Sequence, residues 1–197
     1  MNRIVYMHIP KTAGISIRKS LGKRLHHSFK HRGHARKPLA KRLDFLQAQF
    51  PEDTLTCFTV LRNPLDRALS AYWYLLKGGE AHSRRDRKDR DIHLIQHEDF
   101  NAFVVDGGLL RASKKQVHFR PQVLWLRGYE GGDPPEVHVI RFEELNKGLN
   151  DFLVSQGMPK VNLPHRNKSN RGVTSLSSET TQIVREIYEE DYKRWKQ

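Results

Sequence analysis

The sequence predicts an α/β fold of three layers, α/β/α, with a central parallel sheet. Apolar, β-branched stretches of strand length alternate along the chain with segments of helical periodicity. Two strand ends pass directly into helices through compact turns, "HIPKTAGIS" and "LRNPLDR". Strands that alternate with helices pair in parallel and need cover on both faces. At 197 residues and 37% hydrophobic content the chain can bury one genuine core, and two full domains would be crowded. A single domain over residues 1–197 is therefore expected.

Residues 3 to 9, "RIVYMHI", read as a buried strand, followed by Ile17, Leu21 and Leu25 at helical spacing. "SFKHRGH", 28 to 34, is a weaker second strand, and Leu39, Leu43 and Leu46 then mark a helix. "TLTCFTVLR", 54 to 62, is a clear third strand. It runs into a helix with Asn63 as N-cap, Pro64 at the first helical position and Asp66 in the first turn. Residues 77 to 91, "KGGEAHSRRDRKDRD", are polar and mixed in sign, which predicts an exposed, mobile loop. Short helices are expected at 100–105 and 116–127. "EVHVIRFEEL" gives a fourth strand leading into a helix that ends at Gly157. A basic irregular loop covers 158–175. The closing helix, about 178–195, sets Ile183, Val184, Ile187, Tyr188 and Trp195 on one stripe.

The formal net charge is +13, which points to anionic substrates: nucleotides, nucleic acid or acidic glycans. The charge is uneven, with twelve Lys or Arg and no Asp or Glu between Met1 and Arg42. Arg111 to Arg127 is again basic without an acid. Cys57 is the only cysteine and lies in an apolar run, so it reads as a small buried hydrophobe, and an intrachain disulfide or thiolate cluster is excluded. The apolar runs are too short to cross a bilayer and no signal-peptide pattern is visible, so a cytoplasmic location is expected.

In parallel α/β folds, ligands bind beyond the carboxyl ends of the strands. The turn after the first strand has the makings of an anion site there. A helix N-terminus offers unpaired backbone N–H groups at the positive end of a dipole. Lys11 adds a point charge, Gly14 permits close approach, and Thr12 and Ser16 supply hydroxyls. The usual ATP loop, G-x-x-x-x-G-K-[ST], places its lysine after the second glycine. Here the order is Pro-Lys-Thr-Ala-Gly-Ile-Ser with no upstream glycine, which disfavours an ordinary NTPase.

"HIPKTAGIS" instead resembles the 5′-phosphosulfate loop of sulfotransferases that use 3′-phosphoadenosine 5′-phosphosulfate (PAPS), with Ile15 where threonine is common. "FTVLRNPLDRALSAYWYL" resembles their 3′-phosphate motif, in which Arg62 at the strand end and Ser70 two turns into the helix match the phosphate-binding pair. "GHARKPLAKRL", "HFRPQVLWL", "VHVIRFEELNKGLNDFLVSQGMP" and "HRNKS" extend the likeness over essentially the whole chain. The chain thus looks like a small soluble form of the Golgi-type 2-O and 4-O carbohydrate sulfotransferases. Those relatives carry an anchor and stem, so a bacterial-type cytoplasmic enzyme or a bare catalytic domain is expected.

The resemblance implies a P-loop-NTPase-like sulfotransferase fold. It implies PAPS as co-substrate, held by Lys11, Thr12, Ala13, Gly14, Ile15, Ser16, Arg62 and Ser70. The acceptor would be a carbohydrate hydroxyl, and the basic surface points to an acidic glycan. Lys11 would neutralise charge on the bridging and leaving oxygens. A hydroxyl acceptor needs a base, and His34 matches the histidine with that role in uronyl 2-O-type relatives. His31 is a nearby alternative, while His118 in H-x-x-P-Q would position the acceptor or a loop. Asn167 and Arg171 would close over the nucleotide. No metal-ligand spacing is present among the eleven histidines. A nucleotide kinase or NTPase with a variant phosphate loop, and a basic nucleic-acid-binding protein, are the competing readings. With 9% aromatic residues and no recognised module, only non-specific electrostatic binding to nucleic acid is expected.

Overall fold

The computed structural model describes residues 1–29, 37–79, 83–129, 135–163 and 175–196. They divide into two compact units, Met1–Arg62 with Gln122–Arg166, and Asn63–Pro121 with Asn167–Gln197.

The first unit holds a four-stranded, all-parallel sheet of β1 (Asn2–Met7), β2 (His27–Phe29), β3 (Thr54–Leu61) and β4 (His138–Arg141), in the order β2-β1-β3-β4. Helix α1 (Gly14–Leu21) connects β1 to β2, and α2 (Leu39–Gln49) connects β2 to β3. Both faces of the sheet are covered, as the apolar runs require. On one face Ile4, Tyr6, Phe58, Val60 and Ile140 form a core with Ile17 and Leu21 of α1 and with Leu149, Phe152 and Leu153 of α7 (Leu145–Ser155). On the other lies α2, whose Arg42 reaches the Met7 sulfur at 3.3 Å. The register aligns Tyr6, Phe58 and His138 on one rung. Their rings continue through Phe152, with centroids 4.8 to 4.9 Å apart, into an aromatic row across the sheet. Cys57 is buried, as its apolar surroundings predict.

The second unit is helical: α3 (Pro64–Leu76), α4 (Arg84–His93), α5 (Phe100–Val105), α6 (Gly108–Lys115), α8 (Ser178–Ile187) and α9 (Glu189–Lys196). Its core joins Ala68, Tyr72 and Leu75 to Phe100, Phe103, Phe119 and Val184. Asn63 caps α3 as expected, its side-chain oxygen accepting from Leu65 and Asp66 N–H at 3.0 and 3.2 Å. The fully buried Arg67 donates to the His118 and Arg120 carbonyls at 2.9 and 2.7 Å, with Asp191, also buried, 4.0 Å away.

Three expectations are corrected. Part of the 77–91 stretch is not a loop: Ser83 caps α4, and Asp86 is buried with its carboxylate accepting from the Tyr74 hydroxyl at 2.9 Å. Such a helix has no apolar period to betray it, being held by a cap and one buried carboxylate. The helix expected at 116–127 is instead α6, one segment upstream, followed by turns and a single 3₁₀ turn at Val123–Trp125. Arg67 takes the carbonyls that a continuing helix would need, and Pro121 disfavours helical geometry at Arg120. The closing helix is broken at Tyr188, whose hydroxyl donates to the Phe119 carbonyl at 2.7 Å.

Candidate active site

The strand order makes β1 the first strand and sends the next two connections to opposite sides of it. The carboxyl ends of β1 and β3 thus flank a topological switch point, where α/β folds bind ligands. The loop from His8 to Ala13 leaves β1 at this place, and Arg62 stands one residue past β3.

The loop carries its backbone strain on residues other than glycine. Lys11 and Ala13 have φ of 70° and 61°, in the left-handed region that costs an L-residue about 1–2 kcal/mol. Gly14 lies in helical geometry, and its lack of a side chain serves a different end. A Cβ there would fall 1.9 Å from Nε2 of His8, so the imidazole packs directly against the first residue of α1. His8 is itself buried and stacks on Tyr6 with ring centroids 5.7 Å apart, joining the loop to the aromatic row. Thr12 is wholly buried and its hydroxyl donates to the Ile9 carbonyl at 2.8 Å. That bond fastens the loop. Tyr6 lies beside Thr12, and burial pushes its phenol far above the ordinary range, so it stays neutral.

The first intrahelical bond of α1 runs from Ile17 N–H to the Ala13 carbonyl, which leaves the preceding amides of the helix without intrahelical acceptors. No acidic side chain stands in the first turn. An anion is the natural complement of such a terminus. Ser16 is buried in that turn, and Lys11 and Ile15 are half-buried beside it.

Arg62 is buried, and its guanidinium donates to the Lys11 carbonyl at 3.2 Å while its carbon lies 4.4 Å from the centre of the Phe142 ring. Arg62 of the 3′-phosphate motif and the backbone of Lys11 in the 5′ loop are thus brought together in one unit. Ser70 sits in the second turn of α3, buried. His118 is buried in the second unit, with Nδ1 2.9 Å from the Gln116 side-chain nitrogen and its ring centroid 5.0 Å from that of Tyr74. His31, His34, Asn167 and Arg171 lie outside the described residues. Two residues that sequence reasoning missed are His8 and Gln122. The first is hidden in a hydrophobic run, and the second stands in H-x-x-P-Q without a task assigned to it.

A sequence model of the Sulfotransferase family matches residues 1–196. The chain belongs to the sulfotransferase family. No curated protein and no solved structure matches it. The sulfotransferase is accordingly a transferase of sulfuryl groups on an α/β fold with an all-parallel sheet. Among its described residues no helix is long and apolar enough to cross a membrane, and no group of three or more His, Cys, Asp or Glu is placed to hold a metal ion.

Proposed function

We propose that the protein transfers the sulfuryl group of PAPS to a hydroxyl of a carbohydrate, with an acidic glycan as the favoured acceptor. The observation that carries this reading is the contact of the Arg62 guanidinium with the Lys11 carbonyl, at the switch point of the sheet and beside an open helix N-terminus. Two phosphate-reading cations, one from each strand end, suit a nucleotide that carries phosphate at both its 5′ and 3′ positions. The donors of the first unit suit it: amides and lysine for the 5′ side and the Arg62 guanidinium for the 3′ side, with the Ser70 role proposed from the motif resemblance alone.

Bound there, PAPS supplies a sulfuryl group on a good leaving group. The α1 amides and Lys11 hold the 5′ oxygens, and Lys11 neutralises the charge that grows on them as the sulfur–oxygen bond breaks. The fixed loop keeps those donors in place before reaction. His34 takes the proton of the acceptor hydroxyl as its oxygen bonds to sulfur. A cytoplasmic, single-domain enzyme that requires no metal completes the proposal.

Calorimetric binding of 3′-phosphoadenosine 5′-phosphate against ADP and ATP at near-physiological salt tests it. A clear preference for the 3′-phosphorylated nucleotide is expected. Equal binding, or preference for ATP, would overturn the assignment in favour of a kinase-like activity.

A further inference from the structure

Gln122 closes the H-x-x-P-Q stretch, and its side chain is wholly buried. Its amide oxygen accepts from Arg62 N–H at 3.0 Å and its amide nitrogen donates to the Arg62 carbonyl at 2.9 Å. Arg62 lies one residue beyond β3, so this side chain supplies there the donor and acceptor that a neighbouring strand would supply. The two bonded atoms belong to the peptide groups on either side of the Arg62 Cα. Holding both fixes φ and ψ of that one residue, and with them the direction in which its side chain departs.

The guanidinium that departs from this clamped backbone meets the Lys11 carbonyl at 3.2 Å. Lys11 is one of the two left-handed residues of the loop, in a conformation that persists only where its surroundings hold it. A line of three contacts therefore runs from a buried amide to the strained residue of the anion loop. Phe142, at the end of β4, supports the guanidinium from its face.

We infer that Gln122 is a positioning residue for the transfer reaction. It clamps the backbone of Arg62 so that the guanidinium meets the 3′-phosphate of the nucleotide while holding the Lys11 carbonyl. The inference rests on the 3′-phosphate role proposed for Arg62. In this role Gln122 acts on the nucleotide through Arg62.

The test is binding of 3′-phosphoadenosine 5′-phosphate and of adenosine 5′-phosphate, read as the ratio of their affinities. It is made in the unsubstituted protein, in Gln122→Met, in Arg62→Ala and in the double variant. Methionine keeps the length of the side chain and removes both hydrogen bonds. The ratio is expected to fall at least about tenfold in Gln122→Met, as for a lost hydrogen bond to a charged group. Adding Gln122→Met to Arg62→Ala should lower it no further. A merely structural Gln122 would weaken both nucleotides alike and leave the ratio unchanged, which overturns the inference while the 3′-phosphate reading stands. No preference in the unsubstituted protein overturns that reading and the inference with it.

Should Gln122→Met fail to fold, Gln122→Glu carries the same test. A protonated carboxyl offers one donor and one acceptor, as the amide does, whereas the ionised form offers acceptors only and faces the Arg62 carbonyl. The ratio should then fall with rising pH relative to the profile of the unsubstituted protein. Parallel profiles would overturn the inference.

Discussion

Gly14 is required by what stands beside it, since its own backbone angles are open to any residue. Because a Cβ there would meet the His8 ring at 1.9 Å, Gly14→Ala must displace either the imidazole or the start of α1. The expected cost is about 1–3 kcal/mol of stability, typical of overpacking, together with weakened nucleotide binding. Urea unfolding and calorimetry read the two effects, and adding His8→Ser should restore part of both if the ring is the obstacle. Lys11 makes a different prediction, because its charge matters most where negative charge develops. Lys11→Ala is expected to lower turnover by about 10²-fold or more while changing nucleotide affinity much less. Equal losses in turnover and affinity would place Lys11 in binding alone. At this scale the sequence was informative about residue type and silent about neighbours. Lys11 and Arg62 could be nominated from their motifs, yet the packing of His8 on Gly14 joins positions whose contact no periodicity encodes.

Helices in this protein differ in how openly their sequences announce them. Helix α3 carries a cap, a proline and an amphipathic stripe, and it was legible in full; Asn63→Ala should destabilise the fold by about 1 kcal/mol, measured by urea denaturation, through loss of the cap bonds to Leu65 and Asp66. Helix α4 has no apolar stripe, and its sequence of arginines and aspartates reads as loop until Ser83 and the buried Asp86 are seen in place. Helix α6 starts at two glycines that look like breakers, but Gly107, at φ 72°, is its N-cap and Gly108 its first residue. The strands were legible because burial on both faces makes continuous apolar runs. Their order was not, since nothing local tells β3 to pair with β1. Arg67 shows how far such distant pairing reaches: it ties α3 to the His118–Arg120 turn and to Asp191 of α9 from a wholly buried position. Arg67→Ala should cost about 3–5 kcal/mol by removing the buried cation that two carbonyls and the Asp191 carboxylate face. A midpoint close to that of the unsubstituted protein would refute this tie.

Across the whole molecule, the groups with displaced titrations predict a stability maximum near neutrality. Burial holds His93 and His138 below the ordinary histidine range, with Lys115 and Arg111 adding to the effect on His93 and Asp89 opposing it. The fold then binds protons less readily than the unfolded chain. Stability contributed by these histidines is complete above about pH 6.5 and is lost as pH falls through their folded values. The Asp53 carboxyl, lowered by the Met1 ammonium and Arg3, acts in the same direction at lower pH. On the alkaline side, burial raises the Cys57 thiol to about 12 and raises the Tyr6 and Tyr188 phenols. The unfolded chain ionises first there, so stability declines above roughly pH 8.5–10. Urea midpoints across pH should trace this dome, and a midpoint that rises on acidification below pH 6 would contradict it. The division into two units has a consequence for how the chain comes to be folded. Each unit is assembled from two separated stretches, so each is complete only after a stretch belonging to the other has been synthesised. During synthesis β1, β2 and β3 are available early, but β4 pairs with β3 only after the stretch from Asn63 to Pro121 has emerged. The helical unit in turn waits for α8 and α9 at the far end. A break in the chain near Pro121 would leave a sheet without β4 and a helical core without Val184 and Tyr188, so each half would lack part of its own core.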